Sequence, residues 1–382
     1  MDIDAWEEAG LYRPDAPGAD ERRALLKYLT ARGATLEQMV EAHRLDSLPA
    51  VAGDLALGTE PATISVEDIA ARCGVPVERV QRVLLAVGLP VVADTQVPED
   101  LDALMASFEQ GVTLMGEEAI LAFTRVLGAA ATNIAEAAVA LFYAELGPGT
   151  VGEGPDELAR AQVAEAATLA FTTVPELLSR VVLAHFARAT RHAVLVRGWA
   201  ARTGADGEAA AVAGPSEVVA LGFVDLVGST QWAEGLSLRD HSLALSRFES
   251  TAWSSAVLAG GRVVKMIGDE VFFTAPSVDA VCRIASEVCR AAEADPLLPP
   301  ARGAVGRGRV TPREGDYFGP MVNLVSRLVK AAAPGELVVT EEAAAALQAD
   351  RWALRKLDPQ PLRGLEHPVR VFAVSSVSSQ QR

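Results

Sequence analysis

The periodicity of this chain changes once, and that change decides what it can fold into. Residues 203–217, TGADGEAAAVAGPSE, break a helical pattern with Gly, Ala and Pro, and beyond them strand and helix patterns alternate. Upstream, ERRALLKYLTARG, SVEDIAARCG, PVERVQRVLLAVG and Ala-rich stretches over 100–146 and 155–202, parted by GPGTVGEGPDE, read as helices. Downstream, the spacing predicts strands at 218–224, 261–267, 271–275, 301–310 and 336–340, helices over 230–258, 277–294 and 320–332, and a last pair near 352–375. The expected organisation is an all-α domain at 1–202, a linker at 203–217, an α/β domain at 218–376 and a disordered tail at 377–382. The β-α-β-β-α-β order of the second domain is ferredoxin-like.

Three stretches of the α/β domain carry chemistry. VALGFVDLVGST, residues 219–230, reads as a buried strand that ends on the carboxylate of Asp225. GGRVVKMIGDEVFF, residues 260–273, places Asp269 at the tip of a hairpin turning on Gly268. If that hairpin lies beside the first strand, two carboxylates converge, and hard oxygen ligands so placed suit Mg²⁺ or Mn²⁺. Singly, Asp225 reads as a helix cap and Asp269 as a turn residue; it is the pair on adjacent strand ends that points to a metal. In REGDYFGPMVNLVSRLVKAAAPGELVV, Asn323 and Arg327 stand at i and i+4 on one helix and share a face, with Asp316 in the loop before it. Alone, that face reads as solvated surface.

Together FVDLVGST, KMIGDE and GDYFGPMVNLVSR resemble, in order and spacing, the motifs of the class III nucleotidyl cyclases. The resemblance implies that Asp225 and Asp269, with the backbone carbonyl of Leu226, hold two Mg²⁺ or Mn²⁺ ions per site. It implies that Lys265 and Asp316 read adenine, that Asn323 and Arg327 position the ribose and steady the transition state, and that Arg363 in PLRGLEHP touches the triphosphate. Adenine N1 accepts a hydrogen bond, which suits Lys265, and its exocyclic amine donates one, which suits Asp316. Guanine inverts that edge, so ATP is expected over GTP, with a guanylate cyclase the alternative. In that family such groups serve opposite halves of a site between two catalytic domains, so with one copy of each motif the resemblance implies a homodimer: Asp225 and Asp269 from one chain, Lys265, Asp316, Asn323 and Arg327 from the other.

Composition narrows the remaining options. A net charge of −16 argues against nucleic acid as a partner. The helix-turn-helix pattern at 65–88 would suit a DNA-binding regulator with a nucleotide-sensing domain, but residues 1–100 hold 18 Asp and Glu against 9 Lys and Arg. An acidic N-terminus, three cysteines without metal-type spacing and no run of about 18 uncharged apolar residues point to a cytoplasmic protein without a membrane span. The helical domain resembles the regulatory domain of soluble actinobacterial cyclases. That resemblance implies restraint of the catalytic domain, a response to pH and a fatty acid held between apolar helices, and His185 and His192, seven apart beside Arg188 and Arg191, are the candidate titrating groups.

Overall fold

The computed structural model describes residues 3–58, 63–92, 95–146, 157–203, 216–362 and 366–377, with backbone alone at 142–146 and 192–203. Nearly all of the 203–217 linker, the 378–382 part of the tail, Arg363 and the side chain of His192 lie outside the described residues. The chain divides into two units, Met1–Ala200 and Ala201–Arg382.

The first unit is helical. Helices α1 (Ile3–Glu8), α2 (Ala19–Ala31), α3 (Leu36–Arg44) and α4 (Val51–Ala56) close over Trp6, Leu25, Leu29 and Met39. A second core gathers Ile69, Val80, Val83, Leu84, Met105 and Phe108 from α5 (Val66–Cys73), α6 (Val77–Ala86) and α7 (Asp102–Met115). Strands β1 (Thr63–Ser65) and β2 (Gln96–Pro98) pair antiparallel beside it. The Ser65 cap and the left-handed Gly74 make α5 and α6 a true helix-turn-helix shape. The arginines of α6 are already paired, Arg79 with Glu109 and Glu117, and Arg82 with Glu117, so its cations face internal carboxylates.

The long Ala-rich stretches each divide. Gly116, at φ +88°, separates α7 from α8 (Glu117–Leu146). Thr172 and Thr173 turn their hydroxyls back onto Leu169 and Ala170 carbonyls, ending α9 (Glu157–Phe171), and Pro175 opens α10 (Val174–Thr203). By length and composition alone Glu157–Arg191 is long and apolar enough to cross a membrane, although Arg160, Glu165, Glu176, Arg180 and Arg188 interrupt it and leave no uncharged run of about 18 residues. It includes the Thr172–Thr173 break between helices and Glu165, which accepts hydrogen bonds from Tyr28 and Arg32 of α2.

The second unit runs β3 (Glu217–Leu226), α11 (Ser229–Glu234), α12 (Leu238–Leu258), β4 (Arg262–Ile267), β5 (Glu270–Ala275), α13 (Val278–Ala294), β6 (Ala301–Arg313), β7 (Asp316–Phe318), α14 (Pro320–Ala331), β8 (Leu337–Thr340), α15 (Glu341–Ala344), β9 (Trp352–Lys356) and β10 (Val371–Ser376). The sheet order β4-β5-β3-β6-β8-β10-β9 contains the ferredoxin-like arrangement in β6-β3-β5-β4, all antiparallel, extended by β8 parallel to β6. Helices α12 and α13 cover one face, packing Phe248, Ala252, Val281 and Val288 on Val224, Val271 and Phe273. Helix α14 covers the other, laying Val322, Val325, Leu328 and Val329 over Leu221, Phe223 and Phe272. With both faces buried, β3 must be apolar on both parities, which is why its sequence shows no alternation.

Burial protects two of the three thiols: Cys282 and Cys289 lie inside α13, and loss of solvent pushes the Cys289 thiol up to about 12 and Cys282 higher still. Native protein at pH 8 is therefore expected to expose at most Cys73 to Ellman's reagent, and all three thiols after denaturation. Rapid native reaction of two or more would contradict this core.

Candidate active site

Strand parity builds the site. On β3, Leu221 and Phe223 face α14, so Asp225, two residues on, faces α14 as well. The same count on β5 puts Glu270 with Phe272, and on β6 puts Arg302 with Ala304. Pairing aligns these side chains, because Asp225 stands opposite Glu270 on β5 and opposite Arg302 on β6. A charged row, Glu270–Asp225–Arg302, thus crosses three neighbouring strands, one step beyond the stacked rings of Phe223 and Phe272.

The charges in this row answer one another. Asp225 is 2% exposed. Its Oδ2 accepts from Arg302 Nε at 3.0 Å and Nη2 at 2.8 Å. The remaining Arg302 nitrogen, Nη1, donates to the carbonyls of Lys330 at 2.8 Å and Ala332 at 3.4 Å, fastening the end of α14 to the sheet. From that helix end, Lys330 Nζ reaches Asp225 Oδ1 and lies 2.6 Å from Glu270 Oε2. Burial raises the Glu270 carboxyl above its ordinary range even with Lys330 beside it. Burial alone would lower the Lys330 ammonium, but its bonds to Asp225 and Glu270 outweigh that and hold it above the usual lysine range. As a base raised by its partners, Lys330 contributes stability that is present at neutral pH and lost as pH rises through its raised value, whereas the raised Glu270 carboxyl weakens the pairing on the acid side as it protonates.

Asp269 sits half-buried in the turn between β4 and β5, where Gly268 takes φ +64°. The Leu226 amide donates to the Asp269 carbonyl at 3.3 Å, so the hairpin tip and the end of β3 meet, as the sequence reading requires for Asp225 and Asp269 to converge. The chemistry there suits a hard divalent cation: a buried carboxylate already drawing positive charge, with a second acidic residue beside it. Among the described residues no three His, Cys, Asp or Glu side chains form a metal cluster unaided.

Asp316 is not in a loop. Residues Glu314 and Gly315, both at positive φ, turn β6 back into β7, and Asp316 pairs with Arg313 at the start of that short strand. The sequence hid this hairpin because a glutamate rarely occupies such a turn. Lys265 Nζ lies 2.5 Å from Asp316 Oδ2, and Arg262 donates to the Gly315 carbonyl at 3.0 Å, holding β7 beside β4. Asn323 and Arg327 lie on the exposed face of α14, opposite Val322, Val325 and Val329. Within this chain, therefore, the structure joins Lys265 to Asp316 and sets Asn323 and Arg327 on a face turned away from the sheet. His185 is exposed on α10. Arg302, Lys330 and Glu270 were not anticipated; only the strand register, unknown from sequence, brings them to Asp225.

Residues 8–197 match the family described as the adenylate cyclase regulatory domain. An uncharacterised protein of Mycobacterium tuberculosis is 32% identical over 381 residues, covering 97% of this chain and 94% of that one. A pH-sensitive adenylate cyclase of the same species is 26% identical over 363 residues, 93% of this chain and 88% of that one. Among solved structures, the adenylyl cyclase CyaB from P. aeruginosa aligns with a TM-score of 0.38 at 21% identity, over 42% of this chain and 95% of that one. The chain belongs to the class III adenylate cyclase family, in the group that joins a nucleotide cyclase domain to an N-terminal regulatory domain. Enzymes of this family work with Mg²⁺ or Mn²⁺.

Removing Arg302 leaves Asp225 short of a partner and the end of α14 unfastened. Arg302→Ala is expected to lower metal-free stability by about 3 kcal/mol in urea unfolding. A loss under about 1 kcal/mol would show that the pair contributes little.

Proposed function

We propose that this chain converts ATP to 3',5'-cyclic AMP and pyrophosphate at two equivalent sites shared by two copies. The observation that carries the choice of base is the Lys265–Asp316 pair, a donor and an acceptor 2.5 Å apart that match adenine N1 and the adenine amine. In this reading both turn from each other to the purine edge, so the empty site keeps its own complement satisfied.

Cyclisation requires the ribose 3'-oxygen to attack the α-phosphorus in line while pyrophosphate departs. Asp225 and Asp269, with the Leu226 carbonyl, would hold two Mg²⁺ or Mn²⁺ ions, which lower the hydroxyl pKa and neutralise phosphate charge. Arg302 fixes the Asp225 carboxylate through Oδ2, which leaves Oδ1, where Lys330 sits, as the oxygen a metal ion would take. Asn323 orients the ribose, and the planar donors of Arg327 meet charge growing on the α-phosphoryl oxygens. The exposed face bearing Asn323 and Arg327, apart from the Asp225 row of the same chain, favours their acting in the partner's site.

Mixing tests the shared site. Asp225→Ala and Arg327→Ala should each abolish turnover; after subunit exchange half the dimers are mixed, each with one intact site, so about a quarter of wild-type activity should return. No recovery despite demonstrated exchange would place the whole site in one chain. For base choice, Lys265→Glu with Asp316→Cys should cut ATP turnover at least tenfold, because the adenine edge loses both partners. Unchanged ATP kinetics, or native preference for GTP, would overturn the adenine assignment.

We further propose that the enzyme acts in the cytoplasm and that the helical domain restrains it and releases it on acidification, in keeping with the pH-sensitive relative. His185 and His192 on α10 are the proposed titrating groups, and the apolar helices are the proposed seat of a fatty acid. Comparing residues 1–382 with 210–382 from about pH 5.5 to 8, the window of an ordinary histidine, should show the full chain weaker near pH 8 and the gap closing towards acid. Parallel profiles would refute pH sensing.

A further inference from the structure

Two cations hold Asp225, and they are not equivalent. Arg302 is 19% exposed, takes only Oδ2, and is anchored by further bonds to the Lys330 and Ala332 carbonyls. Lys330 takes only Oδ1, through a side chain that is 52% exposed and ends at Asp225 and Glu270. One cation is built into the sheet and helix; the other is a flexible arm reaching in from solvent. A divalent ion approaching Asp225 finds Oδ2 already engaged by a rigid guanidinium fork, so the oxygen it can take is Oδ1, where the lysine sits.

We propose that Lys330 is an internal counter-cation that keeps the Asp225 site ordered without metal and competes with the divalent ion for Oδ1, thereby setting metal affinity. The inference rests on Asp225 being a metal ligand. The exchange is consistent in charge: one ammonium leaves, a doubly charged ion enters, and Glu270 and Asp269 remain beside Asp225 to be balanced. It is consistent in geometry as well, because Lys330 stands in the last turn of α14, where a swing of its four-carbon stem returns the ammonium to water while the helix stays fastened through Arg302. The lysine also prevents the repulsion that bare Asp225 and Glu270, directly opposite on β3 and β5, would otherwise suffer.

The test is Mn²⁺ binding without nucleotide, followed by electron paramagnetic resonance of the free ion, on the full chain and its Lys330→Met, Lys330→Arg and Asp225→Asn variants. Lys330→Met should bind Mn²⁺ about tenfold tighter than wild type and unfold at lower urea without metal, the deficit closing at saturating Mn²⁺. Lys330→Arg, which keeps the charge, should show no gain in affinity. Unchanged or weaker binding by Lys330→Met, with binding abolished in Asp225→Asn, would overturn the competition while leaving Asp225 a ligand. Equal binding by wild type and Asp225→Asn would instead overturn the metal assignment beneath it.

Discussion

The catalytic unit is organised around one buried negative charge. A carboxylate as enclosed as Asp225 is expensive to desolvate unless cations and hydrogen bonds surround it, and the fold meets that demand from two directions. Arg302 comes from the next strand of the same sheet, and Lys330 comes down from the helix above. Because Arg302 also binds the final carbonyls of α14, the residue that answers the charge fixes the helix that carries Asn323 and Arg327. Charge satisfaction and the placement of the proposed transition-state residues are one structural event.

Much of this was legible in the chain itself. Strands covered on both faces announce themselves by continuous apolar runs, and β3 ends close to where its run ends. The β-α-β-β-α-β order and the Gly268–Asp269 hairpin followed from periodicity and turn chemistry, and the sheet order agrees with them. What stayed hidden depends on register. Arg302 and Glu270 look like ordinary strand residues until pairing sets both opposite Asp225, and no local pattern encodes which residue of β6 or β5 does so. Asp316 was misplaced for another reason: a tight turn through Glu314 at positive φ contradicts the usual residue preferences, so a real hairpin read as a loop. In the helical unit, the Thr172-Thr173-Val174-Pro175 stretch did carry a boundary signal, β-branched residues followed by a proline that suits a first helical turn, which the surrounding Ala-rich pattern masked.

The two units meet different physical requirements. The sheet unit keeps its chemistry on a rigid, doubly covered scaffold, as a precisely aligned phosphoryl transfer demands. The helical unit, matched as a whole to a regulatory domain, leaves large apolar side chains such as Leu183 and Phe186 of α10 exposed in the single chain. Its helix-turn-helix carries Arg79 and Arg82 paired with Glu109 and Glu117 of the same unit.

In the proposed dimer the Asp225 row of one copy and the Lys265–Asp316 pair of the other form one ATP-cyclising centre. Its most direct test is chemical: pure full-length protein incubated with ATP or GTP and Mn²⁺, with products separated by chromatography. The expected products are cyclic AMP and pyrophosphate in equal amounts, with little cyclic GMP. ADP with phosphate as the products, or no conversion by a protein shown to be folded and dimeric, would contradict it.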